Sequence, residues 1–208
     1  MIKVFYTDIS PLSNKTEGFL FSQYRLKRLE NISNPQKRKE SIAAELLLNY
    51  AVVEVFPQLK PPFEITEGEC GKPGFKDIPI YFSLSHSGNT VACAVSDTNI
   101  GLDVEEGLKY REQVTARFFS KDEQHRILTS DDKGREFARI WTAKESALKY
   151  LGVGLHKSTL DVHTAGESVF ISPEQEELRV VSYDSEKLVF SVCTKNLEDT
   201  IDFKFVEL

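Results

Sequence analysis

The stretch from Tyr81 to Glu106 constrains the fold of this chain more than any other segment. It contains three β-rich runs separated by Ser87–Asn89 and Asp97–Asn99, and residues of these types favour tight turns. Because side chains alternate along a strand, Asp103 and Glu105 are predicted to point together, away from the core-facing residues beside them. The stretch therefore predicts three short strands, the last of which carries two carboxylates on one face.

A pair of carboxylates on one face of a strand has two interpretations. The two charges repel each other unless a positive group lies between them, and a divalent cation with oxygen ligands meets that need. The alternative is an exposed face solvated by water, which is the more common outcome for an isolated acidic pair. The strand alone leaves both interpretations open for Asp103 and Glu105.

A helix predicted over residues 134–152 carries the second group of candidate residues. Apolar residues recur along it at helical spacing, and Glu145 and Lys149 lie four residues apart on the flank of that stripe. One interpretation is a surface ion pair, which contributes only about 0.3–0.5 kcal/mol. The other is that the flank packs near Asp103 and Glu105, so that Glu145 supplies a third carboxylate and Lys149 a cation.

The composition excludes several classes of protein. The net charge of -6 argues against a general nucleic-acid binder. The longest charge-free run, residues 78–96, is interrupted by Ser, His, Gly and Asn, so no membrane span is predicted. The three cysteines are widely spaced and show no metal-ligand pattern. With no signal peptide recognised, we expect a cytoplasmic protein with reduced thiols.

Helix signals predict several element boundaries in the rest of the chain. Helical spacing of apolar residues predicts a helix over residues 17–29. Asn34 as N-cap and Pro35 as first helical residue begin a long helix that is predicted to reach about Phe56. Ser120 and Glu123 have the spacing of a capping box at the start of a later helix.

A weak internal repeat suggests two similar halves. Two segments of the first half have counterparts in the second: Lys39–Ala43 with Lys144–Ala147, and Thr90–Ser96 with Leu188–Thr194. We therefore expect an α+β fold of two similar halves, residues 1–99 and 100–208, which form a pseudo-dimer. The second half carries the candidate metal ligands, and the cleft between two such halves is a usual place for a ligand.

Five motifs occur in a fixed order along the chain. They are Gly71-Lys72-Pro73, Leu84-Ser85-His86-Ser87-Gly88, Ile100-Gly101-Leu102-Asp103-Val104-Glu105, Phe118-Phe119-Ser120 and Trp141-Thr142-Ala143-Lys144-Glu145-Ser146-Ala147-Leu148-Lys149. In this order and at these spacings they resemble the 4′-phosphopantetheinyl transferases of the long, surfactin-synthetase-activating type. The resemblance is strong over residues 71–155 and extends to the flanks by length and pattern.

The resemblance implies an activity and its partners. Such enzymes transfer the 4′-phosphopantetheine arm of coenzyme A to a serine of an apo acyl, peptidyl or aryl carrier protein, and they release adenosine 3′,5′-bisphosphate. The implied cofactor is Mg²⁺, the co-substrate is coenzyme A in the cleft, and the partner is an acidic carrier protein or domain. We expect a monomer that binds neither nucleic acid nor membrane.

The resemblance also implies residue roles. The matching positions are Asp103, Glu105 and Glu145 as metal ligands, and Lys37, Lys72, Ser85, His86, Lys144 and Lys149 as coenzyme A contacts. Of these contacts, Lys37, Ser85 and His86 match residues beside the 3′-phosphate. Glu145 is the candidate general base, directly or through water, and Lys149 is the cation expected to stabilise the leaving phosphate.

Two positions depart from the family pattern. The family often carries arginines in the first long helix that bind coenzyme A phosphates, whereas this chain has Glu45 and Asn49 there. Either Arg25 or Arg38 takes over that role, or coenzyme A is held differently.

Two surfaces are candidates for docking of the carrier protein. One is the basic cluster from Arg25 to Lys39. The other, which we favour, is residues 111–128. Its candidate contacts are the apolar Phe118, Phe119, Ile127 and Leu128 and the basic Lys121 and Arg126.

Two other classes of function stay open from the residues alone. A different Mg²⁺-dependent phosphoryl enzyme, such as a phosphohydrolase, would also use three carboxylates and a lysine. A non-catalytic paralogue that binds carrier proteins would be expected to have lost a metal ligand, and all three matching positions are acidic here.

Overall fold

The structure is a computed structural model that describes residues 1–68, 70–153, 159–166, 168–172 and 176–208. Two sequence-based expectations extend outside these residues: Glu69 begins a predicted exposed loop, and positions 154 and 155 end the region of strongest resemblance. Within the described ranges, none of the helices has the length and apolar character that a membrane span requires.

In the first part of the chain, the described ranges 1–68 and 70–99 contain two helices and five strands. They are β1 (Ile2–Asp8), α1 (Gln23–Glu30), α2 (Pro35–Val55), β2 (Ile65–Glu67), β3 (Pro73–Phe75), β4 (Tyr81–Ser87) and β5 (Thr90–Ser96). As predicted, Asn34 caps α2, and its side chain accepts a hydrogen bond from the Lys37 backbone N–H. The predicted start of α1 at Glu17 is wrong, because the Ser22 side chain caps the helix by accepting from the N–H of Arg25.

Within its described residues, the second part contains three helices, a 3-10 turn at Thr159–Asp161 and six strands. They are β6 (Gly101–Glu106), α3 (Glu112–Phe118), α4 (Lys121–Thr129), α5 (Lys133–Leu151), β7 (Val162–Ala165), β8 (Ser168–Ile171), β9 (Glu176–Asp184), β10 (Leu188–Thr194) and β11 (Ile201–Phe205). Ser120 and Glu123 form the predicted capping box of α4. Helix α5 ends at Gly152, whose φ of 69° lies in the left-handed region that glycine adopts readily.

The strands form two main sheets, with a small β2–β3 pair beside them. The first sheet has the order β11-β1-β5-β4, and the second has the order β6-β10-β9-β8-β7. Strands β4 and β5 form an antiparallel hairpin, whereas β6 leaves it and pairs with β10 in the other sheet. Strand β11 pairs in parallel with β1. The last strand of the predicted second half therefore lies in the first sheet.

The elements form four layers: helix α2, the first sheet, the second sheet and helix α5. Alternation along β5 sends Val91, Cys93 and Val95 into the core under α2, and it sends Ala92 and Ala94 into a core between the sheets. Leu102 and Val104 of β6 enter that same central core, so the other face of β6 is turned towards α5. The mixed α+β class with two sheet regions is confirmed.

Candidate active site

The two carboxylates of β6 lie on one side of the strand, as the alternation predicts. They are buried rather than solvated, with 7% of Asp103 and 6% of Glu105 exposed. Burial raises the pKa of Glu105, and the nearby charge of Asp103 raises it further, against the opposite effects of Arg111 and a hydrogen bond from Ser87. The interpretation of this acidic pair as a solvated surface face is therefore wrong.

Gly101 explains how α5 comes close enough to reach these carboxylates. A Cβ atom at this position would lie 1.9 Å from the carbonyl oxygen of Ser146 and 2.6 Å from the backbone nitrogen of Tyr150. Any larger residue would thus force the helix away from the strand. The contact places the helix flank that bears Glu145 and Lys149 beside β6.

Lys149 reaches across from α5 to the strand. Its Nζ lies 2.8 Å from Asp103 Oδ1 and 3.2 Å from the carbonyl oxygen of Leu84 on β4. The partner of Lys149 is therefore a buried carboxylate on β6, and the interpretation of Glu145 and Lys149 as an ordinary surface ion pair is not supported.

Glu145 lies half-buried at the same place and has an unusual environment. Its Oε1 is buried, and no described residue makes a hydrogen bond to it. Burial raises the pKa of Glu145, the charge of Asp103 raises it further, and Lys149 acts in the opposite direction. A buried carboxylate oxygen without a partner is costly, and it is the kind of atom that a bound cation or a substrate proton would satisfy.

Arg111 is a residue that the sequence interpretation missed. It precedes α3, and its guanidinium forms an ion pair with Glu105. Asp103 is likewise held by Lys149. In the described part of the chain, no three or more His, Cys, Asp or Glu side chains are arranged to hold a metal as they stand. The only sequence signal for Arg111 is a basic residue shortly after the acidic strand.

The donor set nevertheless fits Mg²⁺. Three carboxylates from two rigid elements supply hard oxygen ligands of the type that Mg²⁺ accepts together with phosphate oxygens. Asp103 is close enough to raise the pKa values of both Glu105 and Glu145. Mutual repulsion of this kind disappears when a cation lies among the carboxylates.

The residues predicted to bind the 3′-phosphate occupy different environments. Ser85 is buried, and its Oγ donates to Asp103 Oδ1 at 2.6 Å. The neighbouring His86 is exposed and has Nδ1 3.3 Å from Glu40 Oε2. Partial burial and the nearby cations Lys149 and Lys37 lower the pKa of His86, whereas Glu40 and Asp103 raise it. Lys37 and His86 thus lie in one exposed region, whereas Ser85 is buried and lies outside it.

Lys72 and Lys144 both have their ammonium groups directed into the protein. Lys72 Nζ donates to Asn99 Oδ1 at 2.8 Å and to the Ile100 carbonyl at 2.9 Å, and burial lowers the pKa of Lys72 to about 8. Lys144 is fully buried and its Nζ lies 2.7 Å from Glu123 Oε2. The geometry therefore does not bring either ammonium group to the carboxylates.

The departure at Glu45 has a structural explanation. Glu45 is buried and pairs with Arg25, whose Nε lies 3.3 Å from Glu45 Oε2 and whose Nη1 lies 3.1 Å from Ser41 Oγ. The guanidinium of Arg38 donates to the Leu29 carbonyl at 2.8 Å. Both candidate arginines thus already have hydrogen-bond partners within the first part of the chain.

A cleft is lined by residues from both the first and the second part of the chain. It has a volume of about 770 Å³, and its lining includes Lys72, Pro73, Phe75, Phe82, Tyr150 and Gly152. A smaller pocket of about 220 Å³ next to it is lined by Lys72 and reaches Lys149. A long ligand in the cleft would thus have one end near the carboxylate cluster.

Comparisons with known proteins agree with this site. Residues 99–194 match the family described as the 4′-phosphopantetheinyl transferase superfamily. Over 217 residues the chain is 29% identical to the 4′-phosphopantetheinyl transferase psf-1 of Bacillus pumilus, an alignment that covers 93% of this chain and 90% of that protein. It is 29% identical over 149 residues to the 4′-phosphopantetheinyl transferase Sfp of Bacillus subtilis (strain 168), which covers 64% of this chain and 66% of that protein.

A third relative matches a shorter region. The chain is 34% identical over 122 residues to the 4′-phosphopantetheinyl transferase AcpT of Escherichia coli (strain K12), which covers 56% of this chain and 59% of that protein. The family match contains β6 and α5 and therefore Asp103, Glu105, Glu145 and Lys149. The sequence-based identification is confirmed: over most of its length the chain is homologous to 4′-phosphopantetheinyl transferases, enzymes that act with coenzyme A on carrier proteins.

Proposed function

We propose that phosphopantetheinyl transfer takes place between β6 and α5, with Asp103, Glu105 and Glu145 as Mg²⁺ ligands. The observation that carries this proposal is the meeting of the Lys149 ammonium and the Asp103 carboxylate across the two elements, at 2.8 Å, with Glu145 beside them. When bound, Mg²⁺ would neutralise the pyrophosphate of coenzyme A and polarise its phosphoryl oxygens.

Glu145 and Lys149 have different chemical roles in this proposal. The serine oxygen of the carrier forms a bond to the β-phosphorus of coenzyme A, and the bond from that phosphorus to the bridging oxygen breaks. Glu145 takes the serine proton, directly or through water, since its raised pKa suits a base at neutral pH. Lys149 stabilises the charge that develops on adenosine 3′,5′-bisphosphate as it leaves.

Coenzyme A is proposed to lie in the cleft between two pseudo-symmetric halves, residues 1–99 and 100–208. Two features support the halves: the repeated segments Thr90–Ser96 and Leu188–Thr194 are β5 and β10, and each of these strands lies between two others in its sheet. Because one chain supplies both walls, we propose that a monomer is sufficient. The exposed Lys37 and His86 are the coenzyme A contacts that this arrangement favours.

The carrier surface proposed at residues 111–128 has fewer exposed contact residues than the sequence predicts. Phe119 and Ile127 are buried in the core, whereas Leu128 is 53% exposed. Arg126 is paired with Glu136 at 2.8 Å, so a change to Glu would also bring two carboxylates together. Leu128 and the exposed Lys121 are therefore the cleaner probes of carrier binding.

Lys121→Glu is expected to raise the KM for an acidic carrier protein severalfold at low salt and to leave the KM for coenzyme A unchanged. Rim charges mainly tune association and are screened by salt, so the variant should also show a weaker salt dependence. Initial rates against carrier concentration at two ionic strengths test this, with Lys133→Glu as a charge-matched control outside the segment. Unchanged carrier kinetics for Lys121→Glu would return attention to the cluster from Arg25 to Lys39.

Release of adenosine 3′,5′-bisphosphate distinguishes transfer from hydrolysis. A transferase should release it from coenzyme A only when an apo carrier protein is present, and a carrier whose acceptor serine is changed to Ala should abolish release. A phosphohydrolase would release it with water alone. Chromatography of the nucleotide products with and without carrier decides between the two functions.

A further inference from the structure

Strand β4 presents three serines on the face turned towards β6. The three side-chain oxygens accept hydrogen bonds from alternate backbone N–H groups of β6: Ser83 from Leu102 at 2.9 Å, Ser85 from Val104 at 3.3 Å and Ser87 from Glu106 at 3.1 Å. Both strands are edges of their sheets. The serine row thus joins the two sheets edge to edge and satisfies N–H groups that an edge strand would otherwise leave open.

Ser85 differs from Ser83 in one respect. Its hydroxyl also donates to Asp103 Oδ1 at 2.6 Å. A serine hydroxyl has a single donor hydrogen, which this bond uses, while the Val104 N–H takes up an acceptor position. With 6% of Ser85 exposed, its hydroxyl is engaged between β4 and β6.

The carboxylate of Asp103 accepts hydrogen bonds from two donors, the Ser85 hydroxyl and the Lys149 ammonium. Oδ1 accepts from Ser85 on β4 at 2.6 Å and from Lys149 on α5 at 2.8 Å. Two donors on the same oxygen from separate elements fix the plane of the carboxylate, and so the direction of Oδ2. Groups that orient a ligating carboxylate affect metal affinity about 10–100-fold when they are removed.

We propose that Ser85 is a positioning residue, which fixes the Asp103 carboxylate for a divalent cation and does not bind a phosphate of coenzyme A. The assignment deepens the proposed function and rests on it. It replaces the role implied by the family resemblance with one that follows from the hydrogen bonds of this chain.

Cation affinity tests the proposal without any turnover. Ser85→Ala and Ser83→Ala each remove one bond between the sheets, but only Ser85→Ala removes the bond to Asp103. Mn²⁺ binding, measured by electron paramagnetic resonance or calorimetry, is expected to weaken about 10-fold in Ser85→Ala and to stay at the wild-type value in Ser83→Ala. Ser85→Thr, which keeps the hydroxyl, should retain most of the affinity.

A second readout separates positioning from phosphate contact. If Ser85 positions Asp103, Ser85→Ala should reduce kcat/KM by the same factor for coenzyme A and for 3′-dephospho-coenzyme A. A 3′-phosphate contact would instead make the loss selective for coenzyme A. Should Ser85→Ala not fold, Ser85→Cys replaces it, with a weak S–H donor of similar shape and an intermediate loss of cation affinity.

The failure of this inference can be told apart from failure of the proposed function. The inference is overturned if Ser85→Ala binds Mn²⁺ as tightly as wild type, or if Ser85→Ala and Ser83→Ala lose the same amount of Mn²⁺ affinity. It is also overturned if Ser85→Ala loses kcat/KM for coenzyme A only, or if the wild-type protein binds no Mn²⁺. Protein that binds Mn²⁺ with the expected Ser85 dependence but transfers nothing would instead contradict the transferase function.

Discussion

Asp103→Asn is expected to lower the transfer rate by about 10²-fold or more, the range seen when one electrostatic contact to a reacting centre is lost. The substitution keeps the shape of the side chain but removes the charge that Lys149 and the proposed cation share. The same carboxylate also contributes to folding, because Asp103 is buried and accepts hydrogen bonds from Ser85 and Lys149.

The stability of the same variant should therefore fall as well. Weakening a hydrogen-bonded buried pair costs about 1–3 kcal/mol, which thermal melts can measure. Asp97→Asn, at a side chain that is 70% exposed, is the matched control and should change neither rate nor melting temperature. A near-normal rate for Asp103→Asn at saturating substrates would remove Asp103 from the catalytic site.

Glu145→Gln is expected to reduce turnover by about 10²-fold or more, which is typical when a general base is lost. The same substitution is expected to increase the folding stability of the metal-free protein rather than to decrease it. The pKa of Glu145 is raised above its ordinary value of 4.5, so the folded protein binds this proton more tightly than the unfolded chain. The stability that this group contributes is fully present when the pH is below its pKa in the unfolded chain. It is lost as the pH rises through its pKa in the folded protein.

Glu145→Gln should therefore be at least as stable as wild type at pH 8, and this relative gain should shrink towards pH 4.5. Thermal melts in a chelator across this range, together with turnover at pH 8, measure both effects. Glu112→Gln, at an exposed position of α3, is the control for loss of a carboxylate. A variant that is less stable at pH 8 and still fully active would show that Glu145 has a structural role only.

The arrangement of β6 and α5 follows from local sequence rules. Alternation placed Asp103 and Glu105 on one face, and helical spacing placed Glu145 and Lys149 on one flank. Gly101 then sets the distance between the two elements. These rules act over a few residues, and for this reason the composition of the site could be predicted before the fold was known.

The other features of the fold and the site depend on contacts between residues that are far apart in the chain. Arg25 pairs with Glu45, 20 residues later, and Lys144 pairs with Glu123, 21 residues earlier. Motif matching treats Lys144 as a coenzyme A ligand because its neighbours are functional, whereas burial in the core decides where its ammonium group points. The parallel pairing of β11 with β1 likewise joins the two ends of the chain, and no local pattern predicts it.

The mass of an apo carrier protein tests the central claim most directly. After incubation with coenzyme A, Mg²⁺ and the wild-type enzyme, intact-mass spectrometry over a panel of apo carriers should show at least one that gains a single phosphopantetheine group on its serine. The gain should be absent with a chelator and strongly reduced with Asp103→Asn or Glu145→Gln. An unmodified panel, with folded enzyme that consumes coenzyme A without a carrier, would contradict the account.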